Sequence, residues 1–138
     1  MGNTYRVGVV GCGGMGRSHT KQWNSRSDTK VAAVTDLNQE VANQLAEEND
    51  VPAVYTDYQQ MFEIEDLDIL SIPTWQGVRA EVTVAAANAG IKAILGEKPM
   101  CASMGEANAM IESCEDNGVK LAIGHQGALA QPATRFAG

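Results

Sequence analysis

Basic residues are few: ten Lys and Arg, spread singly along the chain, face seventeen Asp and Glu, for a formal charge of −7 at pH 7. Nucleic acids and anionic membranes require clustered cations, so neither is expected as a partner. No apolar run approaches the length of a membrane span. The opening residues MGNTYRVGVV lack the basic segment, apolar core and cleavage site of a signal peptide, and the expected compartment is the cytoplasm. Cysteine is scarce. Cys12, Cys101 and Cys114 are odd in number, with no C-x-x-C spacing and no neighbouring His, which disfavours a disulfide frame or zinc site and suits free thiols. Internal repeats and low-complexity tracts are missing too, and 138 residues suit one domain with a genuine core.

Glycine is present in quantity, and its densest group ends the apolar run VGVVGCGGMG at residues 7–16. A buried strand running into G-x-G-x-x-G opens a dinucleotide-binding unit. Gly11 permits the tight turn, Gly13 lets the backbone approach a pyrophosphate, and Gly16 lets the following helix pack against the strand, while Gly14 adds slack. Backbone N–H groups at a helix start lack intrahelical partners and carry partial positive charge, so a diphosphate satisfies them without a basic side chain. The expected cradle is Gly11, Cys12, Gly13, Gly14, Met15 and Gly16.

Asp36 lies twenty residues beyond Gly16, after the apolar run 31–34, where a ribose-binding carboxylate belongs. A carboxylate accepts from ribose hydroxyls and repels a 2′-phosphate, and Leu37 and Asn38 follow rather than arginine. NAD is therefore the expected cofactor, with NADP less favoured. The plainer reading of Asp36 is an acid stabilised by a helix dipole.

Strands are expected at residues 5–10, 30–35, 53–56, 67–72, 93–96 and 120–123, from near-continuous apolar runs suited to a sheet covered on both faces. Between them, Met15, His19 and Trp23 share one face of a helix over 15–25, so His19 reads as a packed residue rather than a ligand. Asn38 caps a helix ending near Asn49, and Asp57 starts a brief one ending near Phe62. The acidic run Glu63, Glu65, Asp66 and Asp68 reads as a solvated connection. Val78, Val82, Ala85, Ala86 and Ala89 form a helical stripe closed by Gly90. Ser103-x-x-Glu106 caps a helix whose buried stripe is Ala107, Met110, Ile111 and Cys114, ended by Asn117-Gly118. This alternation predicts an α/β, doubly wound, largely parallel six-stranded Rossmann sheet in order 3-2-1-4-5-6, with helices on both faces. Ligands bind such sheets at the carboxyl ends of the strands near the switch point, gathering Gly11, Asp36, Pro73, Thr74 and Lys98 around one crevice.

With GCGGMG, Asp36, the Pro73 strand end, A-E-V-x-x-A-A at residues 80–86 and GEKPM at 96–100, the chain resembles the amino-terminal half of the Gfo/Idh/MocA oxidoreductases. The resemblance implies NAD(P)-dependent dehydrogenation or reduction of sugars, inositols, polyols or similar small molecules. It implies domain limits of 1–124 for the dinucleotide-binding unit and 125–138 for the crossover into a carboxyl-terminal substrate domain absent from this chain. Lys98 matches the family's E-K-P lysine, near nicotinamide and the substrate oxygen, where an ammonium can hold developing negative charge. Glu97 and Pro99 shape that turn. The plainer reading of Lys98 is a surface lysine before a turn proline.

The chain departs from the family in three places. Arg79 stands where members carry a histidine before A-E-V, with Trp75 and Gln76 as extra residues. His125-Gln126 is followed by Gly127 and Ala128 where two basic residues are common. Pro132 and Arg135 begin the crossover, and the catalytic Asp and His of the second domain have no counterpart. The implied function is an NAD(P)-binding domain incomplete for catalysis by itself. A non-catalytic dinucleotide-binding regulatory or interaction module is the alternative, and a methyltransferase a third, opposed by E-K-P. Homo-oligomers through Trp75 or the 124–138 tail are also expected.

Overall fold

The structure is a computed structural model that describes residues 4–74, 76–97 and 103–124. Six parallel strands, β1 (Tyr5–Val10), β2 (Thr29–Thr35), β3 (Ala53–Tyr55), β4 (Ile69–Ile72), β5 (Ala93–Glu97) and β6 (Lys120–Gly124), form one sheet in the order β3-β2-β1-β4-β5-β6. This is the expected doubly wound order, with the switch point between β1 and β4. Helices α1 (Gly14–Asn24), α2 (Gln39–Asn49), α3 (Tyr58–Ile64), α4 (Gln76–Asn88) and α5 (Met104–Asp116) connect the strands.

Strand side chains alternate between two apolar layers, which is why both parities of each strand are hydrophobic. Val9, Ile69 and Leu95 meet Trp23 of α1 and Leu45 of α2 on one face. Val10, Leu70 and Ile94 meet Met61 of α3, Val82 and Ala86 of α4 and Cys114 of α5 on the other. Helix starts follow the sequence closely: Asn38 accepts from the amides of Glu40 and Val41, Asp57 from that of Gln59, and Ser103 from that of Glu106.

Four expectations need correction. Met15 does not join His19 and Trp23 in the core: it is exposed on the first turn of α1, beyond the sheet's carboxyl edge. Ile111 is also exposed, leaving Met110 and Cys114 as the buried part of α5. On α4 the buried face is Arg79, Val82, Thr83, Ala86 and Ala87, rotated away from Val78, Ala85 and Ala89. The acidic run is not simply solvated. Glu65 accepts from the Tyr55 hydroxyl at 2.6 Å and pairs with Arg6 at 2.7 Å, and Asp68 accepts from the Arg6 amide at 2.8 Å, tying the start of β1 to the α3–β4 connection. Trp75, Lys98, Pro99, Cys101 and residues 125–138 lie outside the described residues.

Candidate functional site

Where β1 ends, Gly11 takes φ +105, a conformation L side chains rarely adopt, and its amide donates to the Thr35 carbonyl at 2.9 Å. The chain thereby turns sharply off the sheet into α1. A Cβ on Gly16 would stand 1.9 Å from the Gly11 carbonyl oxygen, so the helix can seat here only with glycine at that position. Gly13 differs. It has φ −75, open to any residue, and a Cβ there would meet no atom within 4 Å. The fold itself therefore makes no steric demand for glycine at position 13. Gly13 is also the N-cap of α1 and offers no side-chain cap to its amides, the arrangement that accepts a phosphate.

Asp36, at the end of β2, holds this loop. Its Oδ2 accepts from the Cys12 amide at 2.8 Å and its Oδ1 from the Asn38 amide at 2.9 Å. Sequence spacing brought Asp36 to the site but gave no sign of this second task, because Cys12 and Asp36 meet only once β1 and β2 pair. A carboxylate has about four lone-pair sites, so ribose hydroxyls can still be accepted. Cys12 is fully buried, its thiol pointing at the Thr35 carbonyl. Burial, and then the nearby Asp36 charge, push that thiol up to about 12, so it is a packed apolar group and not a nucleophile.

His19 Nδ1 lies 2.6 Å from Ser71 Oγ, both buried, fastening α1 to β4 beneath the loop, as expected for a packed histidine. Beyond β4, Pro73 and Thr74 border Gly11: Thr74 Cγ2 is 3.0 Å from the position of a Gly11 Cβ. Thr74 Oγ1 is buried with no hydrogen-bond partner among the described residues. Arg79 reaches back from α4 and donates from Nε to the Thr74 carbonyl at 2.8 Å. Its role was missed from sequence, although its place at i, i+3, i+4, i+7 with Val82, Thr83 and Ala86 was a usable signal: a charge on a buried stripe. Glu81 of the A-E-V run instead accepts from the Tyr58 hydroxyl and links α4 to α3.

Gly11, Cys12, Gly13, Gly16, Asp36, Pro73 and Thr74 thus gather at the carboxyl ends of β1, β2 and β4, with Met15 at the rim. The Glu97 backbone, at the end of β5, pairs with Gly124 of β6. Lys98 lies outside the described residues. A surface depression lined by Thr4, Lys21, Asn24, Thr29 and Asp50 lies at the opposite end of the sheet, where α1 and α2 finish, and holds none of these groups.

Residues 5–125 match the model of the GFO_IDH_MocA group, described as an oxidoreductase family with an NAD-binding Rossmann fold. The chain belongs to the Gfo/Idh/MocA family. Among curated Gfo/Idh/MocA relatives, it is 28% identical over 134 residues to D-apiose dehydrogenase of Paraburkholderia graminis, covering 97% of this chain and 35% of that protein. D-xylose 1-dehydrogenase (NADP(+)) 2 of Haloferax volcanii is 32% identical over 114 residues, covering 83% of this chain and 35% of the relative. The crystal structure of apo scyllo-inositol dehydrogenase from Lactobacillus casei shares the fold with TM-score 0.83 at 22% identity, over 89% of this chain and 37% of that one. This chain therefore spans about a third of the length of the relatives it matches and corresponds to their amino-terminal, NAD-binding part.

Proposed function

We propose that this chain is the cofactor half of a dehydrogenase or reductase acting on a sugar, polyol or similar small molecule, and that it takes NAD in preference to NADP. The observation that carries the reading is the open space around Gly13 at the uncapped start of α1. The named substrates of the relatives, two aldoses and an inositol, support the substrate class. One of those relatives is named for NADP(+), so the choice of cofactor rests on Asp36, whose carboxylate disfavours a 2′-phosphate.

In this reading residues 11–16 hold the diphosphate and Asp36 the adenosine ribose, while Pro73, Thr74 and Glu97 border the nicotinamide half. Bound there, nicotinamide supplies hydride acceptance or donation. Lys98, outside the described residues, is the catalytic candidate: an ammonium beside the nicotinamide would donate a hydrogen bond to the substrate oxygen and hold negative charge developing on it. A proton-transfer group has to come from beyond the residues described at this crevice. A cytoplasmic location goes with this reading, supported by Cys12 and Cys114 being free and buried. So does self-association, supported by the exposure of Met104 and Ile111 on α5.

The test is calorimetric titration of the chain and of Gly13→Ala with NAD, beside thermal melts of both. The native chain is expected to bind. Gly13→Ala should lose at most about 1 kcal/mol of stability, the size of an N-cap change, yet bind at least about tenfold more weakly, because its methyl enters the phosphate position. A native chain that binds no NAD defeats the reading.

A further inference from the structure

Arg79 is 5% exposed on a helix face otherwise built from Val82, Thr83, Ala86 and Ala87. Burying a guanidinium costs several kcal/mol unless its N–H groups are satisfied, and one backbone oxygen takes two of them. Nε and Nη2 both donate to the Thr74 carbonyl oxygen, five residues back across the β4–α4 turn. Two charge-assisted bonds on one oxygen orient that peptide group. That peptide group begins at the Cα that carries the Thr74 side chain. One branch of that side chain, Cγ2, sits against Gly11, and the other, Oγ1, is buried and lacks a partner among the described residues. An unsatisfied buried hydroxyl is costly, and a ligand group that reached it would complete the bond.

Thr74 follows β4, in the second half of the doubly wound sheet, whereas Asp36 ends β2 in the first. A dinucleotide laid across the switch point puts its adenosine on the first half and its other nucleotide on the second. We infer that Arg79 is a positioning residue that aims Thr74 at the nicotinamide half of the bound dinucleotide and so sets affinity for that half alone. This rests on the dinucleotide reading above. Lysine cannot replace the arginine, because a single ammonium lacks the fork that grips one carbonyl from two nitrogens.

The experiment is calorimetric titration of the 138-residue chain, Arg79→Lys, Thr74→Val and the double variant with NAD and with ADP-ribose, which lacks nicotinamide. Thermal melts accompany each. Arg79→Lys and Thr74→Val should each weaken NAD about tenfold, the scale of a lost charge-assisted or buried hydrogen bond. Each should change ADP-ribose affinity by less than about twofold, as expected for a distant site. The double variant should bind NAD no more weakly than the weaker single variant, because Arg79 acts through Thr74. Equal losses for both ligands would mark general loosening and overturn the inference, as would unchanged NAD affinity. Should Arg79→Lys fail to fold, Thr74→Val decides alone by the same NAD-against-ADP-ribose contrast. A native chain that binds neither ligand defeats the dinucleotide reading together with this inference, whereas binding without the contrast defeats the inference only.

Discussion

A single carboxylate does two jobs at this crevice, and that changes what its removal should do. Asp36 bridges the Cys12 and Asn38 amides, so Asp36→Ala removes an anchor of the glycine loop as well as the charge that opposes a 2′-phosphate. NAD affinity should fall by more than about tenfold, the scale set by hydrogen bonds to a charged group, without a gain in NADP affinity. Hydrogen exchange on the cofactor-free chain checks the cause: the Cys12 amide should exchange faster in the variant, and tight NADP binding would argue against the anchor. Gly16 makes a second residue-scale contrast with Gly13. At 1.9 Å from the Gly11 carbonyl, an added Cβ must displace backbone, so Gly16→Ala should destabilise the fold by about 1–3 kcal/mol in urea melts. Cys12 and Cys114, buried with their thiols pushed up, should resist iodoacetamide in the native chain and label only after unfolding, as read by peptide mass spectrometry.

The end of α2 works against the helix. It closes on Asp50 at φ 55, left-handed without being glycine, and its last turn has no basic residue to balance the partial negative charge there. The chain tolerates this because the Val51 amide still reaches the Ala46 carbonyl at 2.9 Å, completing the helix end. Asp50→Gly removes both the strained conformation and the misplaced acid, and should raise stability by about 0.5–1 kcal/mol. The urea midpoint should move up at unchanged slope; a downward shift would show that the Asp50 side chain is stabilising in a way its geometry does not indicate. The start of α2 is the opposite case, since Asn38 accepts from two of its free amides.

For the molecule as a whole, the sharpest dependence on conditions lies on the alkaline side. Cys12 is pushed up to about 12 by burial and the Asp36 charge, Tyr55 to about 12 by its bond to Glu65, and Tyr58 to about 12 by burial and its bond to Glu81. Each holds its proton more firmly folded than unfolded, where the values are 9.0 for the thiol and 10.0 for the phenols. Their stabilisation is therefore complete below pH 9 and is lost as pH rises toward 12. Melting temperatures should fall steadily above pH 9, and a rise there would contradict the buried setting of Cys12 and the hydrogen bonds of the two half-buried tyrosines. The acid side has a smaller counterpart: Arg26 lowers Asp28, whose contribution disappears as pH falls, but Asp28 is solvent-exposed and such pairs contribute little.

Much of the fold was legible from local chemistry alone. Apolar runs marked all six strands, Asn38, Asp57 and Ser103 marked three helix starts, and the strict alternation of strand and helix implied the sheet order. The glycine spacing and Asp36 likewise located one end of the crevice, because a tight turn, a close helix approach and a ribose-binding acid each constrain residue type at a fixed distance along the chain. Periodicity was less reliable for faces: it placed Met15 and Ile111 inside, and added Val78, Ala85 and Ala89 to the α4 stripe in place of Arg79, Thr83 and Ala87, because a stripe of small residues leaves the rotation of a helix undetermined until the sheet packs against it. Tertiary structure decided what is bonded to what. That Asp36 grips the Cys12 amide, that Glu65 ties Arg6 to Tyr55, and that Arg79 turns inward onto the Thr74 carbonyl all depend on pairing β1 with β2 and β4 and on docking α4. Sequence spacing records which residues can form an element, while hydrogen bonds between elements exist only after the chain has closed on itself.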